Sequence, residues 1–224
     1  MKRMFTRSTV AAQLHFFGSF TALVGMYFLL PLTLAKPDSS HFYACLVFGI
    51  SSFLVFAASS ILHFATDGFK VSVAAEKRME GIDQATIFLF IAGTYSPVLL
   101  NLVAQPWAAI LLIAVWSISL AGIAYLFLKS KLPKWMQHRY LNTALYVGMG
   151  WILVLRMGEV MATSTSLGAF CLIAGAISYT VGAVSYATER PRFANGVIGY
   201  HEIWHLMVLF GFGFHYFMIL DFYS

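Results

Sequence analysis

Charge is scarce in this sequence: Asp, Glu, Lys and Arg make up 10% of its 224 residues, against about 25% in soluble domains. A water-exposed surface cannot be assembled from so few charges, which excludes a soluble enzyme, a disordered chain and a nucleic-acid binder. Cysteine is nearly absent. Cys45 and Cys171 are too few for a disulfide framework or a thiolate zinc cluster, and both stand in apolar runs as packing residues. Any metal must then be held by nitrogen and oxygen. Also missing are an inverted repeat, a boundary between domains, and a small-residue cleavage site behind the basic start Lys2, Arg3 and Arg7.

What the sequence has is apolar length. Hydrophobic residues reach 60% and aromatics 17%. A helix that crosses a bilayer needs roughly 20 mostly apolar residues, and seven stretches qualify: 10–34, 42–64, 84–103, 107–128, 141–162, 166–187 and 200–220. Barrel strands would be shorter and strictly alternating. The expected fold is an all-α membrane protein, a seven-helix bundle forming one domain over residues 1–224. Its breaks carry turn and charge signals, the longest being the polar stretch 66–83. Small residues four apart, such as Ala174, Ser178 and Gly182, suit close helix approach.

Basic residues orient the bundle. Of the fourteen Lys and Arg, twelve fall on one side: Lys2, Arg3, Arg7, Lys70, Lys77, Arg78, Lys129, Lys131, Lys134, Arg139, Arg190 and Arg192. Lys36 alone marks the other side, and Arg156 sits inside the fifth span. Positive residues stay inside, so a cytoplasmic N-terminus and an external C-terminus are expected, in a bacterial inner (plasma) membrane.

Ionisable groups at membrane depth are costly and mark function. His63 closes the second span with Ser59 one turn before it, Asp83 opens the third, and His201 and His205 open the seventh. Topology brings all five to one depth near the inner face. His201 and His205, four residues apart, point the same way on a helix. With a third histidine they give three nitrogen ligands and an open fourth position, the arrangement of a catalytic zinc site. Alone, His63 would read as interfacial. Its convergence with the pair and with Asp83 favours the metal.

Residues 201–205 also spell H-E-x-x-H, in which the Glu of metalloproteases is a general base. An intramembrane protease is a rival, but the downstream acid Asp221 is sixteen residues on, about 24 Å along the helix. Glu202 then reads as a helix-start acid. His215, roughly 15 Å from His205 along the helix, is assigned to packing or a hydrogen bond. Arg156 and Glu159 should neutralise one another, and His41 and His138 should be solvated in loops. His15 is placed at most in a cavity lining, outside the ligand set.

Ser59-x-x-x-His63, Asp83, Gly93-Thr94-Tyr95-Ser96-Pro97 and His201-Glu-Ile-Trp-His205 together resemble the hemolysin III proteins. These are the bacterial branch of the progestin and adipoQ receptor family, which includes the adiponectin receptors; a similar pattern occurs in alkaline ceramidases. The resemblance covers about residues 42–220. It implies seven helices, a cytoplasmic N-terminus and zinc on His63, His201 and His205, with Asp83 reaching the metal through water. The Glu and Asn that usually precede the first-span histidine are absent; Ser8 and Ala11 stand there, with His15 retained. Gln84 follows Asp83 where bacterial relatives carry His. These departures bear on substrate choice and gating.

The expected function is therefore zinc-dependent hydrolysis of an acyl-lipid amide or ester, ceramide-like, linked to membrane lipid homeostasis. Asp83 would act as base and Ser59 with zinc would stabilise the oxyanion. Membrane lipids are the expected partners, as substrate or ligand. The alternatives are a non-catalytic, zinc-stabilised receptor or regulator, and a cytolytic protein. The last lacks a spare amphipathic segment to insert.

Overall fold

A computed structural model describes residues 7–69, 71–192 and 198–224, without the side chains of 7–9, 67, 68 and 139. Lys2, Arg3, Lys70 and the side chains of Arg7, Ser8 and Arg139, used above for orientation and for the first-span motif, lie outside the described residues. The described chain is helical apart from an isolated antiparallel bridge between Arg192 and Gly199. Its helices are α1 (Arg7–Thr33), α2 (Ser40–Gly68), α3 (Val73–Leu102), α4 (Trp107–Leu128), α5 (Arg139–Gly150), α6 (Met157–Thr163), α7 (Ser166–Thr188) and α8 (Tyr200–Asp221). Among the described residues, seven segments are long and apolar enough to cross a membrane, the fifth spanning Tyr140–Thr163.

Two spans differ from their expected form. The third begins at Val73, eleven residues before the expected start at Gln84. The stretch taken for a loop holds good helix formers, Ala74-Ala75-Glu76-Lys77-Arg78. Ser72 caps it by accepting the Ala75 N–H at 3.2 Å, and Glu76 in the first turn suits the positive helix end. Thirty residues make a helix of about 45 Å, longer than the hydrocarbon core.

The fifth span is not one helix. α5 stops at Gly150, a 3-10 turn covers Ile152–Arg156, and α6 resumes at Met157. Gly148 and Gly150 weaken the helix there, but in a membrane the freed backbone groups still need partners. Tyr95 of α3 supplies them. Its hydroxyl lies 3.1 and 2.8 Å from the Met149 and Gly150 carbonyls and accepts the Leu153 N–H at 3.1 Å.

α3 is the central helix: it packs on α2 and α4 and also touches α5, α6 and α8. α1 lies against α2 and α8, and α7 against α8 and α5. Gly93 sets the α2–α3 spacing, since a Cβ there would stand 2.1 Å from Ser51 Oγ and 3.2 Å from the Val47 carbonyl. Gly182, from the expected small-residue stripe, allows α7 to approach Trp204 and Met207 of α8. Large apolar side chains such as Phe16, Phe20, Tyr27, Ile61 and Phe170 point outward, as lipid-facing residues do. The expected Arg156–Glu159 pair forms at 2.6 Å, and Glu159 also accepts the Ala104 N–H. His41 is not in a loop: it lies in the first turn of α2, with Nδ1 3.1 Å from the Tyr223 hydroxyl.

Candidate metal centre

Three helices deliver the expected imidazoles and polar groups to one place. α2 carries Ser59 and His63 on successive turns, α3 carries Asp83, and α8 carries His201 and His205. The start of α8 is fixed locally: Glu202 Oε2 accepts the Gly199 N–H at 2.7 Å, closing the first turn as the acid of a capping box does. Glu202 is 2% exposed, and its other oxygen lies 3.4 Å from His201 Nδ1. Its carboxylate thus holds the helix start and a histidine, the helix-start role expected for it rather than that of a protease base.

The three expected ligand histidines converge. One ligand atom from each of His63, His201 and His205 lies within 4.8 Å of the others. Ring centroids are 4.9 Å apart for His63–His201 and His63–His205, and 4.4 Å for His201–His205. His201 Nε2 and His205 Nε2 stand 3.2 Å apart. Two nitrogens bonded to one tetrahedral zinc at about 2.0–2.1 Å are about 3.3–3.4 Å apart, so the donor type and the spacing of this pair fit the ion. The group can hold a metal ion.

Asp83 lies beside Ser59 and within electrostatic reach of His201. Ser59 Oγ is buried without a partner of hydrogen-bond geometry. Gln84 turns elsewhere, its side-chain oxygen accepting from Lys129 at 3.2 Å and Asn142 at 2.9 Å. These bonds tie α3 to the turn that follows α4 and to α5. His215 sits in the C-terminal half of α8, 3.4 Å from the Leu172 carbonyl, away from the cluster as expected.

One residue of the cluster was not among the expected ligands or catalytic groups. His15 of α1 is 3% exposed, and its Nε2 lies 2.8 Å from His205 Nδ1. A lone histidine in an apolar span has no spacing partner to reveal it; its retention at the position of the family's first-span histidine was the available signal.

A cavity of about 300 Å³ opens from this cluster. His15, Ser59, Asp83 and His205 line one end, and Tyr95, Met157 and His215 the other. The ten residues from His205 to His215 make it about 15 Å long. Its walls are apolar, and Gly150, Trp151 and Val154 from the break in the fifth span form part of them.

The sequence profile of the Haemolysin-III related family matches residues 4–216. The chain belongs to that family. Among its Haemolysin-III relatives, Hemolysin-3 of Bacillus cereus is 31% identical over 224 residues, covering 98% of this chain and 94% of that protein. The Hemolysin-3 homolog of Bacillus subtilis (strain 168) is 29% identical over 206 residues, 92% and 89% of the two chains. The human Monocyte to macrophage differentiation factor is 24% identical over 174 residues, 77% of this chain and 67% of that one. The last similarity carries the expected link to the progestin and adipoQ receptor family. With seven apolar helices and bacterial Haemolysin-III relatives, the chain is an integral protein of the plasma membrane.

Proposed function

We propose that this Haemolysin-III family member is a zinc-dependent hydrolase of an acyl-lipid amide or ester, acting in membrane lipid homeostasis as one seven-helix domain over residues 1–224. The observation that carries the reading is the placement of Ser59, Asp83 and His205, the last a member of the histidine cluster, at one end of a long apolar cavity. A carbonyl can sit at the polar end while its acyl chain fills the rest, which is how apolar pockets with few polar groups orient a ligand.

His63, His201 and His205 would hold the ion. Zinc at such a site polarises a carbonyl and acidifies water. Asp83 takes up a proton at its carboxylate and passes it to the leaving group. Ser59, whose hydroxyl is buried beside Asp83, donates a hydrogen bond to the oxygen on which charge develops. The apolar walls keep bulk water from the acyl chain. The twelve basic residues on one side support a cytoplasmic N-terminus and a site near the inner face.

A second reading rests on a different observation. α2 and α8 meet through Phe48 and Phe56 against Phe212, and a metal on His63, His201 and His205 would tie these helices together at their other end. In that case the ion clamps a receptor or regulator and no bond is broken.

Metal analysis of the purified protein, with cleavage assays on ceramide and on acyl amides and esters, separates the two. Hydrolysis is expected in wild type and lost in Asp83→Asn with zinc retained. Zinc without cleavage of any of these lipids supports the clamp, and a wild type without zinc removes both.

A further inference from the structure

A neutral imidazole has one N–H and one lone pair, so a histidine that ligates a metal through one nitrogen must carry its proton on the other. His205 is contacted at both. Its Nε2 faces His201 Nε2 at 3.2 Å and its Nδ1 faces His15 Nε2 at 2.8 Å. Two proton arrangements satisfy these contacts. In one, His15 Nε2–H donates to His205 Nδ1, and His205 carries its proton on Nε2, closed to a metal. In the other, His205 Nδ1–H donates to His15 Nε2, leaving the Nε2 lone pair free beside His201.

We propose that His15 is a positioning residue that accepts the Nδ1–H of His205 and so holds it in the metal-binding tautomer. This role rests on the metal site proposed above. The second arrangement places the His15 proton on Nδ1, an atom buried without a partner in the protein, in a residue that lines the cavity. His15 itself is held firmly. Its ring packs edge-on against Phe56 at 5.2 Å, and Ser60 of α2 donates to the Ala12 carbonyl one turn earlier at 3.1 Å. Its ring meets that of His205 edge-on at 4.1 Å. The two ligands on α8 are thus oriented differently, His201 by Glu202 at 3.4 Å and His205 by an uncharged imidazole. A neutral acceptor fixes the ring without adding a negative charge to an apolar site. α1, which supplies none of the three ligands, is thereby coupled to metal binding.

The test uses the full chain in detergent, comparing wild type with His15→Met, His15→Phe and His15→Gln. Zinc affinity is read by chelator competition, and ligand geometry by the visible spectrum of the cobalt-loaded protein. Loss of an outer hydrogen bond to a metal ligand typically weakens binding by about 10- to 100-fold, and the Met and Phe variants are expected in that range with altered cobalt spectra. Gln keeps an acceptor near the position of Nε2 and should stay within about 5-fold of wild type. Wild-type affinity and spectrum in both Met and Phe variants would overturn the role, as would a Gln variant as weak as Met. A wild type that takes up neither zinc nor cobalt would overturn the metal site itself, and this role with it.

Discussion

The hydroxyl of Tyr95 lies 2.8 Å from the carbonyl oxygen of Gly150, joining the central helix to the break in the fifth span. The same oxygen also meets the Met149 carbonyl and the Leu153 N–H, so one side chain satisfies backbone groups that lipid cannot. Tyr95→Phe leaves them unpaired. A stability loss of about 1–3 kcal/mol is expected, visible as a lower melting temperature in detergent. Zinc content should be unchanged, because Tyr95 lines the end of the cavity away from His205 and the ligand cluster.

His63→Ala and His201→Ala each remove a nitrogen from a three-ligand set and should reduce bound zinc to background. His215→Ala should not, because its ring sits roughly 15 Å along α8 from His205 and meets the Leu172 carbonyl and the Tyr179 ring instead. Metal analysis of the three purified variants checks this. Full zinc in His63→Ala would contradict the ligand assignment.

Glu202 and Asp83 both bring a carboxylate to the cluster, and they should behave oppositely. Glu202→Gln retains an acceptor for the Gly199 N–H, so lipid turnover should persist. Asp83→Asn should lower turnover by about 10²- to 10⁴-fold, the usual contribution of a general base, while zinc stays bound. A Glu202→Gln protein that loses all activity beside an active Asp83→Asn would point to the H-E-x-x-H chemistry of a protease.

Gly93→Ala would place a methyl group against Ser51 and the Val47 backbone. Because the second contact is main chain, α2 and α3 must move apart, at an expected cost of about 1–3 kcal/mol. The shift also separates Ser59 and His63 from Asp83, so turnover should fall more than zinc binding. Thermal melts and paired metal and activity assays would show both.

Much of the candidate site is legible in the sequence. His201 and His205 declare themselves by four-residue spacing, and His63 and Asp83 by lying at span ends on the same side. His15 gave no such sign, because a single histidine in an apolar run looks the same whether it packs or holds a neighbour. The early start of α3 was hidden because residues 73–83 are polar enough for a loop and equally good at forming helix once Ser72 caps them. The break after Gly150 was invisible for a related reason: glycine is common in membrane helices, and the decisive partner, Tyr95, is more than fifty residues away. The cavity depends on packing volumes that no local pattern records. The scarcity of charge helped most, since each polar residue at membrane depth could be weighed singly.

The most direct measurement is zinc stoichiometry and acyl-lipid cleavage on the same preparations of wild type and Asp83→Asn. One zinc per chain in both, with cleavage by wild type alone, is the predicted result. Wild type that carries no zinc, or that carries zinc and cleaves no acyl amide or ester, would contradict a zinc-dependent lipid hydrolase.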